Sequence, residues 1–314
     1  MGQTALLHLH ADHAPLRTRL APHLPPALPL YSTLQTPGCP APVYASFPPG
    51  LSDTDCPPLW LVLADLGNQI RFFCSYESRN TLTPEQLTRG EHLVVAALTA
   101  YLREHHNGRD RISIGAIPDL WTACIARTFS QPFSASRIHY LPLDRIPSPT
   151  LSGIDKGAEL LPAGVVATEG SEEDVDEILS TSEVPHPPSY LATRLQHTTV
   201  LRHPSPAAPP GSTILAHCTT HRDGSIGTLH VAPSARQRGL GLAVLLARAR
   251  AMRDDNDRGA ERDAPVFCYV HRENAASNAL MRRAGMAVSA WEVWWCRVRL
   301  PLPAAEEGGE GAQS

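Results

Sequence analysis

Residues 234–243, SARQRGLGLA, set Arg236, Arg238, Gly239 and Gly241 ahead of an apolar run at helical spacing. Glycines at a helix start let backbone N–H groups converge on an anion, and the positive end of the helix dipole adds to the attraction. Arg236 and Arg238 can supply charge-assisted bonds to the same anion. Leu240, Ala243, Val244 and Ala247 recur at i, i+3, i+4 and i+7, which predicts one buried face behind that end. The plainer reading is that Gly239 and Gly241 only permit close strand–helix packing.

Two nucleotide motifs fail on spacing. A P-loop needs Lys-Ser or Lys-Thr after its last glycine, and none follows. A dinucleotide fingerprint needs glycine or alanine three residues past Gly241, where Val244 stands. The motif also follows a hairpin signal in the last third of the chain, not an opening βαβ unit.

The surrounding elements are readable from pattern. In the first half, residues 58–66 and 70–76 read as buried strands, and Thr83 caps a helix that starts at Pro84. Short strands at 111–117 and 137–143 flank a helix over 119–129. Residues 146–170 show little periodicity and read as a linker. Ser171 caps an acidic helix start, a second short helix covers 189–197, and strands follow at 198–203, 212–221 and 225–232. Asp223-Gly224 is a two-residue hairpin signal, which pairs His230 with His217 and sets His230 on the face opposite Ser225 and Gly227. After the glycine-turn helix come a strand at 265–270, a helix from Asn274 to Gly285 and a strand at 289–300. The expected organisation is an N-terminal domain over 1–150, a linker over 151–170, a C-terminal domain over 171–301 and a disordered tail over 302–314.

Composition narrows the function classes. The 314 residues carry a formal charge of −4, against a chain built to coat nucleic acid. The 7 cysteines form no CxxC pair, so neither a zinc site nor a disulfide framework is expected, and a reducing compartment is. No apolar run reaches the length of a membrane span, and the N-terminus lacks a secretory layout. Cytoplasmic folding is expected, with Arg17 and Arg19 keeping a mitochondrial address open.

The order strand, R-x-x-G-x-G helix, strand, N-x-x-S-x-x-L-x-x-x-x-G helix, strand resembles the Gcn5-related N-acyltransferase superfamily. That resemblance implies an α/β (α+β) acyl-CoA N-acyltransferase fold, a mixed central sheet with splayed strands flanked by helices. It makes the anion the pyrophosphate of acyl-CoA or acetyl-CoA, a co-substrate, with no metal. The site it implies comprises Val231, Arg236, Gln237, Arg238, Gly239, Leu240, Gly241, Leu242, Ala243, Asn274 and Ser277. The pantetheine arm then lies between the strand ending near Val231 and the strand at 265–270, and an amide near Val231 polarises the thioester carbonyl.

Trp291, Trp294 and Cys296 form a W-x-x-W-x-C pattern similar to the end of glycine N-acyltransferases, although packing alone can explain the tryptophans. Residues 19–38 resemble that family's opening, in which Tyr31 and Thr33 start a strand. The resemblance implies transfer of an acyl group to glycine or another small amino acid, helped by a divergent N-terminal acyltransferase-like domain. Other acceptors (a polyamine, an arylalkylamine, a protein lysine) and a non-catalytic acyl-CoA-binding module remain alternatives.

The acylating amine must lose a proton. The family's glutamate falls at Ser225, counted back from Arg236, so Ser225 is the candidate catalytic position. Asp223, His230 and His221 are neighbouring candidates. The wider superfamily's tyrosine acid falls at Met281. Arg194, Arg202 or Arg272 could receive an acceptor carboxylate by bidentate bonding.

Overall fold

The computed structural model describes residues 6–35, 41–52, 54–105, 108–147, 161–162, 164–203, 214–257 and 263–302. In chain order its main elements are β1 (His8–His10), α1 (Ala14–Leu20), α2 (Leu28–Thr33), β2 (Val43–Ala45), β3 (Leu61–Asp65) and β4 (Gln69–Cys74). Then follow α3 (Pro84–Glu104), β5 (Arg111–Pro118), α4 (Asp119–Thr128), β6 (Phe133–Leu141), β7 (Val166–Glu169), α5 (Val175–Thr181) and α6 (Pro188–Ala192). The last are β8 (Thr198–Arg202), β9 (Ile214–Thr220), β10 (Ile226–Val231), α7 (Leu240–Asp257), β11 (Val266–His271), α8 (Ala275–Arg283) and β12 (Ala287–Arg299). The expected disordered tail falls, from residue 303 on, outside the described residues, as does most of the expected linker.

The described residues divide into two compact units. Those within 1–23, 41–133 and 294–314 form unit 1, and those within 24–40 and 134–293 form unit 2. This differs from a simple cut near residue 150. The reason is pairing: β6 makes a six-residue antiparallel ladder with β11, from Leu141↔Val266 to Ser136↔His271, so it belongs with the second half of the chain. Tyr31 donates to Asp263 (2.6 Å), and Gln35 accepts from the Ala264 N–H (3.0 Å), which ties the 24–35 segment to unit 2 as well. β12 is divided at 293/294, and its buried positions change parity there. Ser289 and Val293 are buried before the boundary, and Cys296, Val298 and Leu300 after it.

In unit 1, β1 to β5 run in spatial order with the second half of β12 beside β5. β4 and β5 pair in parallel over two positions, Gln69↔Ser113 and Ile70↔Ile114. The core packs Leu61, Ile70 and Phe72 of the sheet against Val94, Leu98 and Tyr101 of α3 and Trp121 and Ile125 of α4. α3 is closed by its own capping box, with Thr83 Oγ1 accepting from the Gln86 N–H (3.2 Å) and Gln86 Oε1 from the Thr83 N–H (3.0 Å).

In unit 2 a four-stranded antiparallel sheet has the order β10-β9-β8-β7, and a second group has β11 beside β6 beside β12. β7 lies inside the expected linker. All four of its residues are exposed, so this edge strand shows no buried period. Tyr31 to Thr33, expected as a strand, are the end of α2, which begins with proline in its first turn and has all six residues buried. α7 is buried on more of its circumference than the i, i+3, i+4 pattern predicts, from Leu242 through Leu246 and again at Arg248, Ala249 and Met252.

Candidate functional site: the cleft between β10 and β11

β10 and β11 meet only through a parallel bridge at Ser225↔Phe267, just before β10 begins. From that vertex the two strands belong to different pairing groups, so a cleft opens between them. Even-numbered residues of β11 (Val266, Cys268, Val270) join Ala216, Cys218, Val244 and Met281 in an apolar core with α7 and α8. On the opposite face α5 and α6 pack on β8 and β9 through Ile178, Leu191, Val200 and Ile214.

The β9–β10 hairpin is not the two-residue turn that Asp223-Gly224 suggests. His221 N–H donates to Ser225 C=O (2.8 Å) and Gly224 N–H to His221 C=O (2.9 Å), with Gly224 at φ +80°. This is a three-residue loop closed by a left-handed glycine. It pairs Gly227 with Thr219, one residue out of register from the expected pairing. A bulge between Gly227 and His230, with Thr228 at φ +45°, then restores the expected pair His230↔His217. Because a bulge sets two residues against one, it also turns His230 onto the face of Gly227 and Ser225, not the opposite face. Ala232 N–H bonds Leu215 C=O (2.9 Å), so by alternation the Val231 amide points away from β9, into the cleft.

β10 leads into the glycine turn. Gln237 (φ +63°) and Gly239 (φ +80°) adopt left-handed conformations, and a Cβ on Gly239 meets nothing within 4 Å. Gly239 thus supplies the backbone freedom. Gly241 has ordinary room: a Cβ there would lie 3.4 Å from Leu280 and 3.5 Å from Val231, so its role is packing α7 against β10 and α8. Arg236 Nε donates to Val231 C=O (3.2 Å) and ties the exposed turn to the strand end, beside exposed Gln237 and Arg238. The Ala243 N–H bonds Gly239 C=O (3.0 Å), which leaves the amides of Leu240, Gly241 and Leu242 ahead of it at the helix end.

Asn274 caps α8, its Oδ1 accepting from the Ser277 N–H (2.9 Å). Gly285 ends it at φ +78°, with Met286 N–H bonded to Met281 C=O (3.1 Å). The residue that joins elements here is Asn278, which sequence reasoning missed. Its Nδ2 donates to the His271 and Asn274 carbonyls, and its Oδ1 lies 3.0 Å from His139 Nε2. Nothing in its spacing distinguishes it from other polar helix residues.

Ser225 sits at the vertex, 3% exposed. Its Oγ–H donates to Asp223 Oδ1 (2.6 Å), and the Tyr269 hydroxyl donates to Asp223 Oδ2 (3.2 Å). His217 is fully buried, 2.9 Å from Thr181 Oγ1, and burial followed by the neighbouring His230 pushes its imidazole down to about 4. Burial, then the Arg236 charge, lowers His230 as well. Met281 is buried in the apolar core.

Two of the three arginines considered for an acceptor carboxylate are held internally. Arg194 is buried, with its Nε on the Thr220 carbonyl (2.9 Å), and Arg202 pairs with buried Asp174 (2.8 Å). Arg272 is half exposed, 3.4 Å from Glu292. Among the described residues, no group of three metal-ligating side chains occurs and no helix is long and apolar enough to cross a membrane.

Comparison with known proteins bears on this cleft. Residues 211–296 match a family model described as FR47-like protein, a span that includes the glycine turn, α7, β11 and α8. No curated protein matches the chain. A solved Drosophila protein superposes with a TM-score of 0.62 at 11% identity, over 95% of this chain and 99% of that one, so both units share its fold. A GCN5-related N-acetyltransferase from Sphaerobacter thermophilus (TM-score 0.47, 16% identity, 85% and 82% covered) and a tandem GNAT protein from the clavulanic acid pathway (0.47, 14%, 95% and 99%) superpose more loosely. The fold is mixed α/β and is shared with the Drosophila protein, and the FR47-like match falls on the cleft-bearing segment.

Proposed function

We propose, from an FR47-like segment that coincides with this cleft, that the chain is an acyl-CoA-dependent N-acyltransferase. The observation that carries the reading is the continuity of one path. It runs from the bulge in β10, past the cleft-facing Val231 amide, to the start of α7, where Gly239 has no side chain to cap the helix. The Leu240 to Leu242 amides and Arg236 and Arg238 fit a diphosphate by dipole and charge. A thioester held along β10 finds the Val231 amide placed to polarise its carbonyl. Leu280 and Val231 line the apolar side, against which a pantetheine arm can pack. Ser277 and Asn274, whose backbone N–H donates to His271 C=O (2.9 Å), stand at the start of α8 as polar side chains beside the arm.

The acceptor in this reading is a small amine. Glycine or another small amino acid is favoured by the W-x-x-W-x-C strand, and exposed Arg272 is then the residue for its carboxylate. A second reading, a module that binds acyl-CoA without turnover, is favoured by the commitment of the Ser225 hydroxyl to Asp223. Release of free thiol from acetyl-CoA and longer acyl-CoAs, measured against glycine, other amino acids, polyamines and arylalkylamines, separates the two. Thiol release that requires one amine class supports the transferase. Acyl-CoA binding with no amine-dependent release supports the module.

A further inference from the structure

The loop between β11 and α8 ends one wall of the cleft, and a side-chain pair behind it has no part in the reaction as described so far. Arg272 N–H donates to Ala135 C=O (3.1 Å) and Asn274 N–H to His271 C=O (2.9 Å). Asn278, one turn into α8, forks onto the same loop, its Nδ2 donating to Asn274 C=O (2.8 Å) and His271 C=O (3.1 Å). Behind Asn278 stands His139 of β6, 1% exposed and opposite Cys268 in the ladder with β11. Its Nε2 lies 3.0 Å from Asn278 Oδ1.

The two loop carbonyls fix every proton in this pair. A carbonyl can only accept, so the amide nitrogen of Asn278 must face them and its oxygen must face His139. An oxygen facing Nε2 requires Nε2–H, which leaves Nδ1 as the bare ring nitrogen. Nδ1 is buried and has no hydrogen-bond partner among the described residues. The opposite tautomer would set Nε2 against an oxygen and bury an N–H at Nδ1 with nothing to receive it. Burial lowers the imidazole pKa, the bond to Asn278 opposes this, and the Arg282 and Arg137 charges add to the lowering. The ring is therefore a neutral donor, and the chain of bonds runs one way, from His139 through Asn278 to the loop.

We propose that His139 and Asn278 are positioning residues for acyl-CoA, holding the β11–α8 loop where Asn274 and Ser277 meet the pantetheine arm. This rests on the acyl-CoA reading, which lays the arm between β10 and β11. The bonds from Asn278 to the two carbonyls fix the loop relative to α8, but not relative to the sheet. Leu280 and Met281 pack α8 into the apolar core, a contact without direction. The His139 bond supplies the direction. β6 is laddered to β11 from Leu141↔Val266 to Ser136↔His271, so a donor at residue 139 sets helix and loop against the same strand that walls the cleft.

Calorimetric titration of the full chain with acetyl-CoA, well below its melting temperature, tests this in His139→Leu and His139→Gln. Leucine leaves Asn278 Oδ1 facing the sheet without a donor, and the Kd for acetyl-CoA should rise about tenfold. Glutamine carries an N–H near the place of Nε2 and should return the Kd close to that of the parent. The Arg272 and Asn274 amides should exchange faster in His139→Leu and at the parent rate in His139→Gln. If His139→Leu melts lower but binds acetyl-CoA like the parent, the pair serves stability alone and the proposal falls, while the acyl-CoA reading stands. If the parent binds no acetyl-CoA, both fall. Histidine-selective 15N NMR of the parent, assigned with His139→Gln, tests the pair even if His139→Leu does not fold. It should show a pyrrole-like Nε2 and a pyridine-like Nδ1 at His139 that shift when acetyl-CoA binds. The reverse tautomer, or signals unmoved by bound acetyl-CoA, overturns the proposal.

Discussion

The rings of His217 and His230 stack across β9 and β10, with centroids 5.8 Å apart and planes inclined by 24°. Two offsets bring them together: a hairpin loop one residue longer than its Asp-Gly signal, and a bulge one residue later in the ladder. His217 is held neutral there, which has a consequence for stability. Its folded pKa, about 4, lies below the ordinary 6.5, so the stabilisation is complete above pH 6.5 and is lost as pH falls towards 4. Between pH 7 and 5 the loss from this group is about 2 kcal/mol. Urea unfolding of the parent and of His217→Gln at both pH values should show a weaker pH dependence in the variant. Equal dependence would mean that the unfolded state protonates no more readily than the folded one.

Gly239 and Gly241 should respond differently to a side chain. Gly239 sits at φ +80° with open space around it, so Gly239→Ala meets backbone strain and no clash, costing about 1–2 kcal/mol in unfolding free energy. Gly241 has helical geometry and contacts Leu280 and Val231 at ordinary distance. Gly241→Ala should be nearly silent in stability, whereas Gly241→Val should crowd both neighbours and weaken acetyl-CoA binding at least tenfold. Calorimetric titration reads the second effect and thermal unfolding the first.

The starts of α3 and α7 invite a direct contrast. Thr83 and Gln86 occupy each other's backbone amides at α3, whereas α7 begins from the glycine turn, where Gly239 has no side chain to offer its first amides. Thr83→Ala should therefore cost about 1 kcal/mol of stability and leave acetyl-CoA affinity unchanged. A loss of affinity in that variant would assign the ligand to unit 1.

Arg202 and Asp174 form a buried pair whose purpose is structural. Burial pushes the Asp174 carboxyl up, but the Arg202 guanidinium and the Ser171 N–H and hydroxyl outweigh it and hold the pKa below the usual range. Arg202→Met should cost about 3 kcal/mol and leave the acceptor KM unchanged. Arg272→Ala should do the reverse, raising KM for a carboxylate-bearing acceptor with little change in melting temperature. Steady-state kinetics beside thermal unfolding separates the two arginines.

Much of unit 2 was legible because its signals are local. Asn274 and Gly285 bracket α8 by capping chemistry, and the apolar and β-branched run before the Asp223-Gly224 turn signal marks β9. The glycine turn was placed, but its two glycines were not told apart, since only φ distinguishes the loop-forming Gly239 from the packing Gly241. What escaped depends on tertiary pairing. β7 has no buried face of its own, the bulge at Thr228 carries no residue signature, and β6 leaves the first half for unit 2 because β11 offers it a ladder. His139 carried no signal of its own. Asn278 lies 139 residues further along the chain, and only the β6–β11 ladder brings the two together.

Amide hydrogen exchange of the full chain, with and without saturating acetyl-CoA, tests the central claim that acyl-CoA lies along β10 with its diphosphate at α7. The account predicts slowed exchange at residues 227–231 and 237–242, with residues 84–88 at the start of α3 unchanged. Protection confined to other segments, or no protection at the glycine turn while acetyl-CoA is bound, would contradict it.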